Sequence, residues 1–396
     1  MFRSIGLILF ALVLGYFVPH IRDQWLPWFG SDLGRDQLIA FLTSVATGMM
    51  SFTGVVLSLL FVLPQVATTG YTPRIVGSWV RDTRITSATG VFTGTFVYSL
   101  MALRAVGLVQ GSRSCALTIY VAFAWLLASL WMLTRLGLVF AERDHAHVLR
   151  SLGQQGSDAI DSAYATTNPA GGTSPAEEVL AEPSRGRAAQ VVVHDGPPLY
   201  VVWIDVGRLV RLARECAALI RLPFAQGDSV TAGAALALVY GGTVPSRPLL
   251  ASIQLGLERD VRADPKYALR LLVDVAIRAL SSSMNDPTTA VQALDQIEAL
   301  LIKLGNLRLD VGQVRDGRGE LRLVYDATTW EEYLELALVE IQYYGAASVQ
   351  IERRLAALLE FLRDHVPTPR RAAVEALGVA AHGAHGDRQG LGHTLQ

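Results

Sequence analysis

The residues of this chain best suited to chemistry are Glu258, Arg259 and Asp260, followed by Asn285, Asp286, Thr288 and Thr289. Carboxylates beside an arginine can hold a proton, and hydroxyls at a helix N-terminus can bind an anion. Each residue also has a purely structural use: Asp286 as a helix cap, Asn285 as a turn former, Arg259 as the partner of a carboxylate. The structural use is preferred, because the sequence offers no nucleophile with a nearby histidine, no metal-ligand spacing and no phosphate loop. His194 and His365 are the only histidines in the folded part of the second half, poor material for acid–base work. No catalytic, cofactor-binding or metal-ligating residue is assigned, and no cofactor is expected.

A second set of polar residues lies in an apolar setting. Thr47, Ser51, Thr53 and Ser58 belong to the stretch Leu38 to Leu63, which also carries Thr43, Ser44, Gly48 and Gly54. Small, weakly polar side chains let membrane helices approach closely and hydrogen-bond across an interface. They could also line a pathway, extended by Thr89 and Thr93 at i, i+4 spacing on the third span. The middles of the spans hold no Asp, Glu, Lys or His, and Arg104 and Arg135 are close enough to span ends to snorkel. A coupled transporter or proton pump, which needs an ionisable group at membrane depth, is therefore disfavoured, and a passive hydroxyl-lined pore stays open.

The elements that must position these residues fall into two halves. Four apolar stretches, Ile5 to Val18, Leu38 to Leu63, Ser87 to Val106 and Ala116 to Phe140, read as transmembrane helices within residues 1–142. The first is short, but no small-residue cleavage site follows it, and Pro19, His20, Trp25 and Trp28 read as a membrane exit. With four spans, Arg3, Arg74, Arg81, Arg84, Arg135, Arg143 and Arg150 share a face, against Arg22, Arg35, Arg104 and Arg113. That excess predicts a multi-pass protein of the bacterial inner membrane with cytoplasmic N- and C-termini.

Residues 143–188 read as a helix end and a flexible linker, with the Gly/Pro/Ser-rich run Asn168 to Pro175 at its centre. Residues 189–380 read as a cytoplasmic α+β domain. Gln190 to His194 and Leu199 to Asp205 predict strands separated by a turn at Asp195 to Pro198, followed by a helix near Val206 to Ala217. Gly227-Asp-Ser-Val230 and Ala232 to Leu236 look like half of a lipoyl-type β-sandwich. No lysine occurs before Lys266, so that segment cannot be a lipoyl or biotin carrier.

Asp264-Pro265 and Asp286-Pro287 each put a capping carboxylate before a proline at the first helical position, which predicts a helical hairpin connected by Ser281 to Asp286. A β-hairpin of Leu307 to Val314 and Glu320 to Tyr325, turning at Asp316 to Gly319, should follow. Thr329-Trp-Glu-Glu332 is a capping box for a helix to about Tyr344, with further helices over about Ser348 to Asp364 and from Thr368. Residues 381–396 are expected to be a disordered tail, whose His382, His385 and His393 bind metal weakly at most.

An apolar share of 51% is high for a soluble chain and fits the membrane half. A net charge of −1 gives no reason to expect a nucleic-acid partner. Cys115 and Cys216 offer neither a disulfide framework nor a zinc site.

Met50 to Leu59, Tyr71-Thr-Pro-Arg74, Arg81-Asp82, Gly94 to Tyr98 and Leu103-Arg104 resemble the membrane half of the DUF2254 family of predicted bacterial membrane proteins. Arg278 to Ala290 is similar to that family's signature in the soluble half. The chain departs from the pattern at Ser282-Ser283 and at Gln226-Gly227, where relatives often have Pro-Gly. The resemblance implies architecture, with no activity or catalytic residue to carry over.

The fold expected is thus a membrane α-helical half of about four transmembrane helices, joined to a soluble α+β domain with a lipoyl-like β segment and a helical bundle. The expected partners are the lipid bilayer and further copies of the chain as a homo-oligomer. A non-enzymatic membrane-anchored scaffold or sensor is the favoured function. An oligomeric channel-like pore with a regulatory domain stands second, and a membrane-bound enzyme using the Asn285-Asp286 loop third.

Overall fold

The computed structural model describes residues 2–21, 35–70, 83–108, 115–141, 145–164 and 190–378, and they form two compact units divided between Asp144 and His145.

The first unit contains four helices, α1 (Phe2–Phe17), α2 (Arg35–Gly70), α3 (Thr83–Leu108) and α4 (Cys115–Ala141), each long and apolar enough to cross a membrane. α1 runs alongside α3: Ser4 Oγ donates to the Thr86 carbonyl at 2.6 Å. A Cβ on Gly15 would sit 2.8 Å from the Tyr98 carbonyl oxygen, so glycine is what permits the close approach. One apolar cluster joins Ala11, Leu38, Leu42, Tyr98 and Ala122, and a second joins Val45, Met49, Val56, Phe92 and Leu136. Large apolar side chains also point outward, among them Leu9, Phe10, Phe61, Trp131 and Leu138. A soluble surface avoids such a band, whereas hydrocarbon accommodates it.

The second unit begins earlier than the composition implied. Residues 145–164 form α5 (His145–Tyr164), a full helix within the segment 143–188 that reads as a helix end and a flexible linker. The glycines that read as breakers are the packing surface: a Cβ on Gly156 would lie 2.8 Å from Leu300 Cδ1 and 2.9 Å from Ala268 Cβ, and one on Gly153 would collide with Gln296. Lys303 closes the contact, its Nζ donating to the Ser157 carbonyl at 3.0 Å and pairing with Asp161 at 2.6 Å. The Asn168 to Pro175 run and the tail 381–396 lie outside the described residues.

The β part has two sheets. Strands β1 (Gln190–Val193), β3 (Leu219–Leu222), β5 (Ala235–Tyr240), β7 (Gln313–Arg315) and β8 (Leu321–Tyr325) make a sheet of order β1-β5-β3-β8-β7. Strands β2 (Leu199–Ile204), β4 (Ser229–Val230) and β6 (Ile253–Gly256) make the other, of order β4-β2-β6. The turn at Asp195 to Pro198 therefore passes the chain between sheets, because β1 pairs with β5 while β2 pairs with β4 and β6. In the lipoyl-like stretch, Gly227 and Gly233 have φ of +90° and +85°, conformations that favour glycine. The β7–β8 hairpin forms around the predicted turn, but its first strand is only Gln313–Arg315 where Leu307 to Val314 is expected, and β8 then pairs in parallel with β3, a contact across about 100 residues that no local pattern announces. Between the sheets lies a core of Val201, Ile204, Leu209, Ile220, Leu236 and Val239, with helix α6 (Val206–Glu215) against it.

The helical part consists of α5, α8 (Pro265–Ala279), α9 (Pro287–Gly305), α10 (Trp330–Leu334), α11 (Glu340–Gly345), α12 (Val349–His365) and a last helix over 368–378, while the short α7 (Ser246–Leu250) precedes β6. Thr329 and Glu332 make the predicted capping box. Between α10 and α11 the helix widens into a π turn, Glu335–Val339, for which the sequence carries no signal.

Candidate functional site

The chemistry-bearing residues divide between the two ends of α8. At its start Asp264 is the N-cap, its Oδ1 accepting from the Tyr267 amide at 3.1 Å. Arg259 reaches it from the turn after β6, with Nε at 2.8 Å and Nη2 at 2.7 Å from Oδ2, and its guanidinium lies over the Tyr267 ring. Asp264 is only 3% exposed. Burial pushes its carboxyl pKa above the usual range, and the Arg259 charge and hydrogen bond pull the other way. Asp260 faces elsewhere, accepting from the Arg262 amide at 3.0 Å.

The β part closes over this ion pair through Gln226 and Gly227. The Gln226 amide donates to the carbonyls of Val202 at 3.0 Å and Ala263 at 2.8 Å. Any Cβ on Gly227 would collide with the Asp264 carboxylate and lie 2.7 Å from Arg259 Nη2. Lys266 Nζ pairs with Asp228 at 3.0 Å, a second bridge between α8 and the β4 turn. The Gln226 side chain thus joins β2 to the turn before α8.

Close by in the electrostatic sense is a buried tyrosine pair that the sequence reading missed. The hydroxyls of Tyr164, at the end of α5, and Tyr333, in α10, lie 3.0 Å apart. Burial raises both pKa values, and the Asp264 charge adds to the effect. These phenols therefore keep their protons, and the cluster joins α5, α8 and α10 to the β part without exposing a reactive group.

At the other end of α8 the chain wraps through Ser281 to Asp286. The Met284 and Asn285 amides donate to the Ser281 carbonyl at 3.1 and 2.9 Å, and the Asp286 amide donates to the Ala279 carbonyl at 2.8 Å. Asn285 has φ of +46°, the left-handed conformation that asparagine tolerates better than most residues. Asp286 caps α9, accepting from the Thr289 amide at 3.1 Å and from its hydroxyl at 2.5 Å. Thr289 is buried, whereas Asn285 and Thr288 are exposed. A 15-residue helix at about 1.5 Å per residue is roughly 22 Å long. Arg259 and Asp260 therefore do not share a site with Asn285, Asp286, Thr288 and Thr289.

The polar set of α2 is divided as well. Thr47, Ser51 and Ser58 are exposed on the face turned away from the unit's own core, and Ser58 Oγ donates to the Gly54 carbonyl at 2.9 Å. Nothing lies within 4 Å of a Cβ on Gly48 or Gly54. Thr53 points inward instead, between the core residues Met49 and Val56, with a buried hydroxyl. Buried hydroxyl contacts between spans lie elsewhere: Thr95 and Ser129, 2.8 Å apart, and the Tyr98 hydroxyl, which donates to the Thr118 carbonyl at 3.0 Å, join α3 to α4. Among the described residues no cluster of His, Cys, Asp and Glu has the make-up of a metal site.

The family described as predicted membrane protein DUF2254 matches residues 1–360. Uncharacterized proteins of Mycobacterium bovis and Mycobacterium tuberculosis are 28% identical over 355 residues, 84% of this chain. The chain spans about two thirds, 65%, of the length of these curated relatives. No solved structure matches the chain. With four apolar helices followed by mixed sheets and helices, and a family match covering nearly all of both units, the chain belongs to the DUF2254 family of predicted membrane proteins.

Proposed function

We propose that this protein is a non-enzymatic, membrane-anchored scaffold or sensor. In this reading it is a multi-pass, homo-oligomeric protein of the bacterial inner membrane, with both termini and the α+β unit in the cytoplasm. The supporting observation is the employment of the polar residues. Arg259 neutralises a buried cap, Asp286 caps a helix, Asn285 makes a turn, and α8 holds these groups roughly 22 Å apart. The excess of arginine on one side of the four spans supports the orientation.

A second reading, an oligomeric channel-like pore, is favoured by the outward face of α2, where Thr47, Ser51 and Ser58 accompany two glycines with open space around them. Helices pack closely through such faces, and several copies would bring hydroxyls to a common axis. The test is ion and small-solute flux through full-length protein in liposomes, beside Ser51→Leu and Thr47→Leu, together with disulfide crosslinking of Ser51→Cys. The scaffold reading expects no flux above empty liposomes and a crosslinked dimer. Flux abolished by the leucine variants would replace it with the pore.

A further inference from the structure

We infer that strand β1 pairs with β1 of a second copy of the chain, antiparallel about Val192, and so joins two five-stranded sheets into one. β1 is the end strand of its sheet, and among the described residues only β5 pairs with it. The His194 amide donates to the Ala234 carbonyl, and the His194 carbonyl accepts from the Gly233 amide, each at 2.8 Å. His194 thus turns both backbone groups to the β5 side. Neighbouring residues of an extended strand turn theirs to opposite sides. The extra residue in the β1–β5 register is Leu236, on β5, so β1 keeps its alternation. Val193 and Val191 therefore present their amides and carbonyls at the outer edge.

The side chains agree with that edge. Val192 and His194 are buried, whereas Val191 and Val193 are 52% and 51% exposed. Edge strands ordinarily guard themselves with a charge, a proline or very short length. β7, at the opposite edge, is three residues long and carries Arg315, while Gln190-Val-Val-Val193 has no such guard.

A second copy is the occupant because the edge complements itself. With a two-fold axis at Val192, Val191 of each copy faces Val193 of the other, and both residues have their backbone groups turned outward to exchange hydrogen bonds. Their side chains meet on one face as cross-strand valine pairs. The ends of the strand match in charge. Gln190 Nε2 donates to the Val244 carbonyl at 3.0 Å and the Ser246 hydroxyl at 3.2 Å, which brings the exposed Arg247 of α7 to the start of β1. The exposed Asp195 follows β1 at its finish, and among the described residues neither is in an ion pair. Antiparallel pairing sends the Arg247 end of one copy to the Asp195 end of the other, on both sides of the axis. A strand this short suffices within a membrane-anchored oligomer, where the contact forms at high effective concentration. This pairing rests on the chain being a homo-oligomer and gives that oligomer a surface.

The experiment uses full-length protein in liposomes, with Cys115 and Cys216 replaced by alanine, and copies of two masses, one carrying Val191→Cys and the other Val193→Cys. Facing residues of a hydrogen-bonded pair have Cα atoms about 5.5 Å apart, within reach of a disulfide, whereas identical positions lie on the longer diagonal. The expected result is crosslinking between the two forms, with about a fivefold lower yield from either form alone. Asp195→Arg lowers the mixed yield about fivefold, and Arg247→Asp added to it restores the yield. Val191, Val193, Asp195 and Arg247 are all exposed, and an unchanged Tm for each variant makes loss of the crosslink a loss of contact. If the mixed forms do not crosslink while Ser51→Cys does, the β1 pairing is overturned and the homo-oligomer stands; if neither crosslinks, both fall. Equal yields from the mixed and single forms, or a mixed yield indifferent to Asp195→Arg, also overturn the pairing about Val192.

Discussion

The two ends of α8 begin from the same device and come to opposite uses. Asp264-Pro265 and Asp286-Pro287 both cap a helix with a carboxylate ahead of a proline, and both carboxylates accept the amide three residues on. Asp264 is enclosed by the β part and needs Arg259 to be there at all, whereas Asp286 lies half-buried in an exposed turn. A motif thus specifies a local hydrogen bond, and its surroundings decide whether the same group is a minor cap or a charge on which two subassemblies depend.

The strongest way to break that comparison is Arg259→Met. Removing one partner of a buried pair leaves an uncompensated charge, and the expected destabilisation is about 3–5 kcal/mol, read as a fall in the Tm of the detergent-solubilised full chain. Burial raises the Asp264 pKa, so the folded protein holds that proton to a higher pH than the unfolded chain does. Its contribution to stability is therefore greatest below the ordinary carboxylate pKa and declines as pH rises towards the raised value. Without Arg259 the raised value goes higher still. The Tm gap between Arg259→Met and the parent should accordingly shrink on moving from pH 8 to pH 5, and a gap that widened would refute the account of Asp264 as a buried carboxylate held by Arg259.

Gly156→Ala tests whether α5 belongs to the bundle that links these ends. Its methyl group would press on Leu300 and Ala268, and overpacking of this kind costs about 1–3 kcal/mol, whereas a linker glycine would tolerate the change. Asp286→Ala should cost about 1 kcal/mol, the usual loss for a helix cap, and thermal denaturation beside Arg259→Met would rank the two ends directly. Smallest is Ser51→Leu, on the outward face of α2, which should move the stability of the isolated protomer by less than about 0.5 kcal/mol in thermal denaturation while changing disulfide crosslinking between copies through Thr47→Cys.

Much of the architecture is legible without coordinates because it rests on local chemistry. Runs of about 20 apolar residues, a Pro behind a capping Asp, and Thr329 with Glu332 each declare an element within a few residues. α5 was not legible, since Gly153 and Gly156 carry the same letters whether they break a helix or let two others approach it. The candidate loop was half legible. Its cap and turn roles follow from Asn285 and Asp286 themselves, but the distance between Arg259 and Asn285 depends on which elements intervene. Tyr164 and Tyr333, 169 positions apart, show no pattern in either neighbourhood.

The four apolar helices and the hairpin capped at Asp264 and Asp286 are written in the residues alone, because each depends on residues within one or two turns of one another. That β8 joins β3, that α5 clasps α8 and α9, and that Thr53 turns inward from its neighbours emerge only in the folded chain. Those outcomes depend on long-range packing, where a contact is chosen by the shape and burial of surfaces brought together by the whole chain.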